Sequence, residues 1–233
     1  MQYDAVFLDA GGVLVLPNVN VMADALEAEG ITTPRDQQRL DRAHYLGMRA
    51  IDTGAGEDQS ERYVTAMLAA LGVDAGALRA AGDALARMSE RPASETWNVV
   101  PPGTLDGLRA LEATGVQLAI VSNSDGTVED SLRKLGVCQV GEGRGVGLCG
   151  VVDSFVVEAE KPKPEIFGHA LRAAGSRPER TLHVGDGVRY DVDGARAAGI
   201  DPMHFDPYRL CDMADHPHVA SLAELADRLR AAA

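Results

Sequence analysis

The sequence predicts an α/β fold in which a doubly wound parallel sheet is combined with a separate helical unit. Short apolar runs bounded by turn residues alternate with helical segments in the first and last parts of the chain, as in sheets whose parallel strands are joined by helices. Residues 17–95 instead contain helical segments without a strand-like run. We therefore expect residues 1–16 and 96–233 to form the α/β core domain and residues 17–95 to form a helical cap domain.

Four apolar runs have the length of buried strands, and each is followed by residues that favour turns. They cover residues 5–8, 118–121, 151–157 and 182–184. The helices expected between them cover residues 104–113, 127–135 and 163–174. Gly136 and Gly175 follow the last two, and glycine commonly ends a helix.

The middle of the chain has the apolar spacing of four helices. These cover residues 19–29, 35–50, 59–71 and 75–88. The segment starts soon after the first strand and ends before the next core helix, so we expect it to fold as a cap over the strand ends.

Size and charge limit the classes of function. A chain of 233 residues with 45% hydrophobic residues can bury one sizeable core and a smaller appended unit. Its formal net charge of -13 repels phosphate backbones and acidic membrane surfaces. We therefore expect a small-molecule substrate and no nucleic-acid or membrane partner, while a monomer and a homodimer both stay open.

The cysteines and histidines give no clear metal or disulfide signal. Cys138, Cys149 and Cys211 are widely spaced, which favours reduced structural thiols over a disulfide framework or a zinc site. The histidines of the last third, His204, His216 and His218, lack a spacing that demands a metal, and His183 is expected to pack within its strand. Because neither a signal-peptide pattern nor an apolar run of about 18 residues is present, we expect a cytoplasmic protein.

Polar motifs follow each predicted strand. Asp9 ends the first apolar run and precedes Gly11 and Gly12, and the later runs are followed by Ser122-Asn123, Lys161-Pro162, and Gly185-Asp186 with Asp191. Ligands of open α/β sheets bind beyond the carboxyl ends of the strands. We therefore expect all of these residues to contribute to one site.

The order of these motifs resembles the haloacid dehalogenase-like hydrolase superfamily. The matching patterns are D-x-x-G-[TV]-L at residues 9–14, S-N at 122–123, K-P at 161–162 and G-D-x-x-x-x-D at 185–191. The helical segment between the first two motifs resembles the first of that superfamily's cap types, called C1. The resemblance implies a Rossmann-like core and a hydrolase whose nucleophile is Asp9.

The chemistry of phosphoryl transfer gives these residues a role. An anionic nucleophile such as Asp9 attacks a phosphoryl group only when nearby cations neutralise the charge, and Lys161 is such a cation. The carboxylates of Asp9 and Asp186 suit Mg²⁺, and the resemblance implies that the carbonyl of Gly11 completes the protein ligands. Asp191 would orient Lys161 or a metal-bound water from outside that set.

A phosphate oxygen would be held next to this nucleophile. Ser122 and Asn123 are the expected binding groups, together with backbone amides at the start of the following helix. We therefore expect a Mg²⁺-dependent phosphatase that acts on a small phosphorylated metabolite through an aspartyl-phosphate on Asp9.

Gly11 is the departure from the usual pattern. Superfamily phosphatases usually have an aspartate there as general acid and base, so this chain is expected to be slow or to transfer the group. The alternatives are a 2-haloacid dehalogenase-like hydrolase, a phosphotransferase and a non-catalytic protein that binds phosphate ligands or a protein partner. A phosphonatase is excluded because its cap lysine has no counterpart before Lys134. The acidic pair Asp186 and Asp191 favours magnesium and phosphate over dehalogenation.

The cap supplies candidates for the missing proton donor. These are His44 and Tyr45, with Arg49 as a candidate for binding the substrate anion. The alternative is that His44 and Tyr45 pack inward while Arg49 is solvated.

The glycine-rich residues 141–147 are not expected to bind phosphate. They lack the G-K-[ST] ending of a P-loop, and the next expected element is a strand and not a helix. We expect a mobile surface insertion there.

Overall fold

The computed structural model describes residues 3–54 and 58–232, which form two compact units. One unit, called the core unit below, runs up to Val15 and resumes at Val100, whereas Leu16–Val99 form the second, the helical unit. In chain order the strands are β1 Ala5–Leu8, β2 Leu16–Pro17, β3 Trp97–Val99, β4 Gln117–Ser122, β5 Cys138–Val140, β6 Val146–Leu148, β7 Gly150–Asp153, β8 Thr181–Gly185, β9 Asp201–Phe205 and β10 His218–Val219.

The α-helices alternate with these strands in the core unit and dominate the helical unit. In chain order they are α1 Val19–Glu27, α2 Gln37–Thr53, α3 Gln59–Leu71, α4 Leu78–Met88, α5 Ala93–Thr96, α6 Thr104–Glu112, α7 Val128–Lys134, α8 Ser154–Val157, α9 Glu165–Ala174, α10 Asp193–Ala197 and α11 Leu222–Ala231. A π-helical turn, Val188–Val192, precedes α10. Among the described residues, no helix combines the length and apolar character needed to cross a membrane.

The core unit is built on a six-stranded sheet in the order β10-β9-β8-β1-β4-β7. Every pair of neighbouring strands in it is parallel, which confirms the predicted doubly wound α/β fold. The chain adds β4 on one side of β1 and β8 on the other. The strand order therefore reverses at β1, and such a reversal opens a crevice at the carboxyl ends of the strands.

The side chains of β1 point alternately to the two faces of the sheet, and both faces are packed. Phe7 points into a cluster with Phe167 of α9 and Ala195 of α10, and Phe7 and Phe167 are both fully buried. Val6 and Leu8 point to the other face because successive side chains of a strand alternate. All four residues of β1 are buried, as their uninterrupted apolar run predicts.

The prediction for residues 151–157 was wrong over its second half. The strand β7 ends at Asp153, whose carboxylate accepts a hydrogen bond from the backbone N–H of Phe155 at 3.0 Å. This contact caps the short helix α8. A side-chain cap thus converts an apolar run into a strand followed by a helical turn.

Strands flank the glycine-rich segment, and β6 begins at Val146, before the strand that was expected from residue 151. The predicted mobility of the segment stays a prediction. The strands β5 and β6 pair in parallel on either side of residues 141–145. The side-chain amide of Gln139 accepts a hydrogen bond from the N–H of Gly145 at 2.9 Å and donates one to its carbonyl at 3.1 Å. Both ends of the segment are therefore anchored.

The helical unit surrounds a core of its own. Its buried apolar residues include Met22, Leu26, Leu40, Leu68 and Leu71. The helix α3 has the predicted bounds, α2 is shifted to Gln37–Thr53, and the last predicted helix begins with a 3₁₀ turn at Ala75–Ala77. The sequence did not indicate the antiparallel pair of β2 and β3 at the two ends of this unit.

Candidate active site

Asp9 lies directly after β1, at the carboxyl edge of the sheet. Its backbone N–H donates to the carbonyl of Val184 on β8 at 2.9 Å, so strand pairing continues to the residue that is predicted to be the nucleophile. One carboxylate oxygen, Oδ1, accepts from the N–H of Ala10 at 2.7 Å. The side chain is 13% exposed, which leaves a small accessible face on an otherwise enclosed carboxylate.

Lys161 connects two of the predicted acidic residues. Its Nζ lies 2.7 Å from Oδ2 of Asp9 and 2.7 Å from Oδ1 of Asp191, and its side chain is 1% exposed. Asn123 holds the backbone of this lysine, since its Oδ1 accepts from the Lys161 N–H at 2.8 Å and its Nδ2 donates to the Lys161 carbonyl at 3.0 Å. The S-N and K-P motifs therefore meet, and the Asn123 amide is placed to position Lys161.

Asp191 accepts hydrogen bonds from several donors at once. Besides Lys161, the backbone N–H of Gly187 donates to its Oδ2 at 3.1 Å, and Nε2 of His183 lies 2.8 Å from its Oδ1. His183 is fully buried, and its ring meets that of Phe167 edge-on at 4.9 Å. Sequence reasoning took His183 for a packing residue only; its position on the strand that leads to Asp186 was the available signal.

Glycines make room for the carboxylates. A Cβ atom at Gly185 would lie 2.0 Å from Cγ of Asp191, and one at Gly12 would lie 2.1 Å from Oδ2 of Asp186. Gly12 also has a φ of 72°, which side chains disfavour. The glycines next to Asp186 and near Asp9 are thus needed for the close approach of the acidic groups.

Three carboxylates come together at this edge. Oxygen atoms of Asp9, Asp186 and Asp191 all lie within 4.8 Å of one another. Because Lys161 balances only part of this negative charge, the cluster suits an additional cation with a preference for oxygen ligands, such as Mg²⁺. Asp191 is occupied by its hydrogen-bond donors, so Asp9 and Asp186 are the better-placed ligands.

The ionisation of the cluster follows from burial and from its charges. Burial raises the pKa of Asp9, while the attraction of Lys161 opposes the shift. Burial alone would lower the pKa of Lys161, but the attraction of Asp191 and Asp9 outweighs it and raises that pKa above its usual value. For Asp191 the effect of burial is overcome by Lys161 and the hydrogen bond from His183, which hold its pKa well below its usual range. Asp9 is therefore the group whose ionisation depends most on a further cation.

Ser122 and Gly11 lie at the same edge of the sheet. Ser122 is buried at the end of β4 and is in register with Asp153 of β7. Asp153, which sequence reasoning missed, also accepts from the N–H of Gly126 at 3.0 Å and so fixes the turn after Ser122. Gly11 forms an isolated bridge with Val15, which closes the turn that follows Asp9.

The predicted cap residues lie in the helical unit. His44 is buried there, with its Nδ1 2.7 Å from Oη of Tyr63. Its ring is surrounded by those of Tyr45, Tyr63 and Trp97, with centroids 4.9, 5.7 and 5.3 Å away. Arg49 is half-buried on the same helix, α2. The catalytic or binding roles of His44 and Arg49 stay predictions.

Known proteins similar to this chain include curated relatives and a solved structure. "Haloacid dehalogenase-like hydrolase domain-containing protein 3" of Bos taurus is 38% identical over 110 residues, covering 45% of this chain and 39% of that protein's length. "Ribulose-1,5-bisphosphate 5-phosphatase" of Halopiger xanaduensis is 30% identical over 211 residues, covering 88% of this chain and 84% of that protein.

The solved structure shares the fold. The putative HAD-hydrolase YfnB from Bacillus subtilis, bound to magnesium, matches with a TM-score of 0.60 at 20% identity, covering 99% of this chain and 100% of that one. The family model of the haloacid dehalogenase-like hydrolases matches residues 3–199. The motifs, the sheet order and this match agree, and the chain belongs to the haloacid dehalogenase-like hydrolases.

Proposed function

We propose that this chain is a Mg²⁺-dependent phosphatase that acts on a small phosphorylated metabolite through an aspartyl-phosphate on Asp9. The observation that carries the proposal is the position of the Asp9 carboxylate, 2.7 Å from the ammonium of Lys161 and within 4.8 Å of two further carboxylates. A relative aligned over 88% of the chain is named as a phosphatase of a sugar bisphosphate, which supports the same reaction class.

The residues divide the work of phosphoryl transfer. Mg²⁺ would be held by Asp9 and Asp186, with the Gly11 carbonyl as a further ligand, and when bound it would neutralise charge on the phosphoryl oxygens. Lys161 would pair with another of these oxygens, and Ser122 would donate a hydrogen bond to the phosphate. Asp191 keeps Lys161 charged and in place through their contact of 2.7 Å.

The reaction would proceed in two displacements. An oxygen of Asp9 forms a bond to phosphorus as the bond to the substrate oxygen breaks, and the leaving oxygen takes up a proton. Water then attacks phosphorus, the bond to Asp9 breaks, and inorganic phosphate and the Asp9 carboxylate are released. Lys161 stays charged throughout and stabilises the oxygens of both transition states.

Protonation of the leaving oxygen is the step that this scheme supports least, because Gly11 has no side chain to donate a proton. The sequence offers His44 as a replacement, and this role stays a prediction. General acid and base catalysis contributes about 10²–10⁴-fold, so we expect Gly11→Asp to raise kcat by about tenfold or more. Gly11→Asn is the control, because the amide has a similar shape but does not transfer a proton. A rate that is unchanged or lower in Gly11→Asp would show that another group already donates the proton.

A glycine at position 11 is also compatible with a 2-haloacid dehalogenase and with a phosphotransferase. Dehalogenation needs no metal, however, whereas Asp186 is buried next to Asp9 and adds negative charge that a metal would balance. The carboxylate cluster therefore favours a metal-dependent phosphatase. A non-catalytic protein would bind phosphate ligands without turnover that depends on Asp9.

The deciding experiment is hydrolysis of p-nitrophenyl phosphate with and without Mg²⁺. We expect Asp9→Asn to lower kcat by about 10³-fold or more, since the nucleophile is lost. Asp4→Asn is the matched control, because Asp4 is exposed at the other end of β1. Release that does not depend on Asp9 would contradict the proposal. Chloride release from 2-chloropropionate without Mg²⁺ would instead identify a dehalogenase.

A further inference from the structure

A second cluster of metal-ligand side chains lies at the edge of the sheet. It consists of His204 on β9, His218 on β10, and Cys211 and His216 in the connection between these strands. His204 and His218 are register partners on parallel neighbours, so their side chains leave the same face of the sheet. One nitrogen of each histidine and the sulfur of Cys211 all lie within 4.8 Å of one another.

The outer nitrogen of each histidine has an oxygen as its partner. Since these oxygens only accept, the outer nitrogens carry protons, and in the neutral rings the inner nitrogens are left with lone pairs. Such contacts orient histidine rings around metals in proteins. The pairs are His204 Nε2 with the Asp186 carbonyl at 3.1 Å, His216 Nδ1 with Oδ1 of Asp215 at 2.8 Å, and His218 Nε2 with the Met213 carbonyl at 3.0 Å.

Two separations within the cluster are close to those of a tetrahedral site. Nδ1 of His204 lies 3.2 Å from Nε2 of His216, and Sγ of Cys211 lies 3.7 Å from the same Nε2. At a tetrahedral angle, bond lengths of about 2.0 Å to nitrogen and about 2.3 Å to sulfur place two nitrogens about 3.3 Å apart and a nitrogen and a sulfur about 3.5 Å apart. If both rings are neutral, with their protons on the outer nitrogens, two lone pairs face each other at 3.2 Å, and a cation between them would remove the repulsion.

We propose that His204, Cys211, His216 and His218 bind a structural Zn²⁺ ion. Three imidazole nitrogens and a thiolate suit a borderline-soft transition metal, whereas Mg²⁺ and Ca²⁺ prefer oxygen. Four protein ligands fill a tetrahedron, which leaves no position for a substrate or water and indicates a structural ion.

The position of the cluster explains what the ion would stabilise. Residues 206–217 connect β9 to β10 without a helix or strand, and β10 itself has only the residues His218–Val219. Asp206 already holds part of this connection, because its carboxylate accepts from the N–H groups of Leu210 and Cys211, both at 2.9 Å. Zn²⁺ would tie the connection to both strands and complete the sheet edge.

Metal analysis of the full chain, purified without chelator or added metal, tests the proposal. We expect about one equivalent of zinc per chain, and less than about a fifth of that in Cys211→Ser and His216→Ala. Cys149→Ser and His169→Ala are matched controls outside the cluster and should keep the zinc. Equal zinc in Cys211→Ser and Cys149→Ser would overturn the assignment of the ligands.

Cobalt substitution tests the unmodified chain, even if a variant fails to fold. Replacement of zinc by Co²⁺ should produce the visible absorption of a tetrahedral ion and a charge-transfer band from the thiolate, and excess Mg²⁺ should not remove either. Cys211→Ser should lose the charge-transfer band. Less than about a tenth of an equivalent of zinc together with no cobalt spectrum would overturn the proposal and leave a proton between His204 and His216.

Discussion

The carboxylate cluster at Asp9 and the histidine–cysteine cluster at His204 lie in the same unit but balance their charge differently. At Asp9, acidic groups are buried against one ammonium, with contacts of 2.7 Å from Lys161 to Asp9 and Asp191. At His204, hydrogen bonds to outer oxygens orient ring nitrogens toward a common centre.

This difference teaches how one small sheet can hold two clusters whose side chains suit different kinds of metal ion. The oxygen donors around Asp9 suit a hard cation and are only partly neutralised, so under the proposed function they would bind Mg²⁺ next to a phosphate. The nitrogen and sulfur donors suit a softer cation and leave no open position. The type of donor atom and the number of protein ligands distinguish a metal site that could bind substrate from one that could only stabilise the fold.

The largest effect is expected when the cation of the carboxylate cluster is removed. Lys161→Met would leave Asp9 and Asp191 buried without their shared partner, and loss of one partner of a buried ion pair costs about 3–5 kcal/mol. Urea unfolding without Mg²⁺ would measure this loss. Lys163→Met is the control, because that side chain is 64% exposed and its ion pair with Glu160 lies at the surface.

The destabilisation in Lys161→Met should also depend on pH. The depressed pKa of Asp191 contributes stability above the unfolded value of about 3.9, and that contribution is lost as the pH falls through the folded pKa. We therefore expect the difference between variant and parent to shrink below about pH 4. Similar losses in Lys161→Met and Lys163→Met at neutral pH would refute the role of this ion pair.

An intermediate effect is expected at Gly12. Gly12→Ala adds the strain of a side chain at positive φ, about 1–2 kcal/mol, and a clash 2.1 Å from the Asp186 carboxylate. Gly136→Ala has a similar φ of 69° but meets no atom within 4 Å, so it reports the strain alone. Only Gly12→Ala should weaken Mg²⁺ binding, by about tenfold or more, in calorimetric titrations. Equal Mg²⁺ affinity in the two variants would show that Asp186 is not a ligand.

The smallest effect is expected in thiol reactivity. Burial raises the pKa of Cys138 to about 12, so its thiol should react with iodoacetamide only on unfolding, whether or not metal is present. Cys211 should react about tenfold faster after treatment with a zinc-selective chelator. Peptide mass spectrometry over a time course would measure both. If the chelator does not change the rate at which Cys211 reacts with iodoacetamide, this thiol does not bind a metal.

Three residues of the carboxylate site could be predicted from the sequence because they lie at the ends of strands. Asp9, Ser122 and Asp186 each end an apolar run, and parallel strands bring their carboxyl ends to one edge. The predicted fold and family were confirmed on this basis. The end of β7 was missed, since Asp153 caps a helix there, and apolar residues alone do not reveal a side-chain cap.

The histidine–cysteine cluster could not be predicted in the same way. Its first and last residues, His204 and His218, meet only through the register of β9 and β10. The spacing to Cys211 and His216 resembles no short metal motif. The four side chains come together through the pairing of β9 with β10 and through the path of the irregular connection between them. Both depend on the packing of the whole unit.

Asp186 belongs to both clusters, through its carboxylate at one and its backbone carbonyl at the other. Binding equilibria that share a residue obey thermodynamic reciprocity. Whatever factor zinc occupancy imposes on the affinity for magnesium, magnesium must impose the same factor on the affinity for zinc. Titration of either ion in the presence of the other would therefore measure one coupling free energy from two directions.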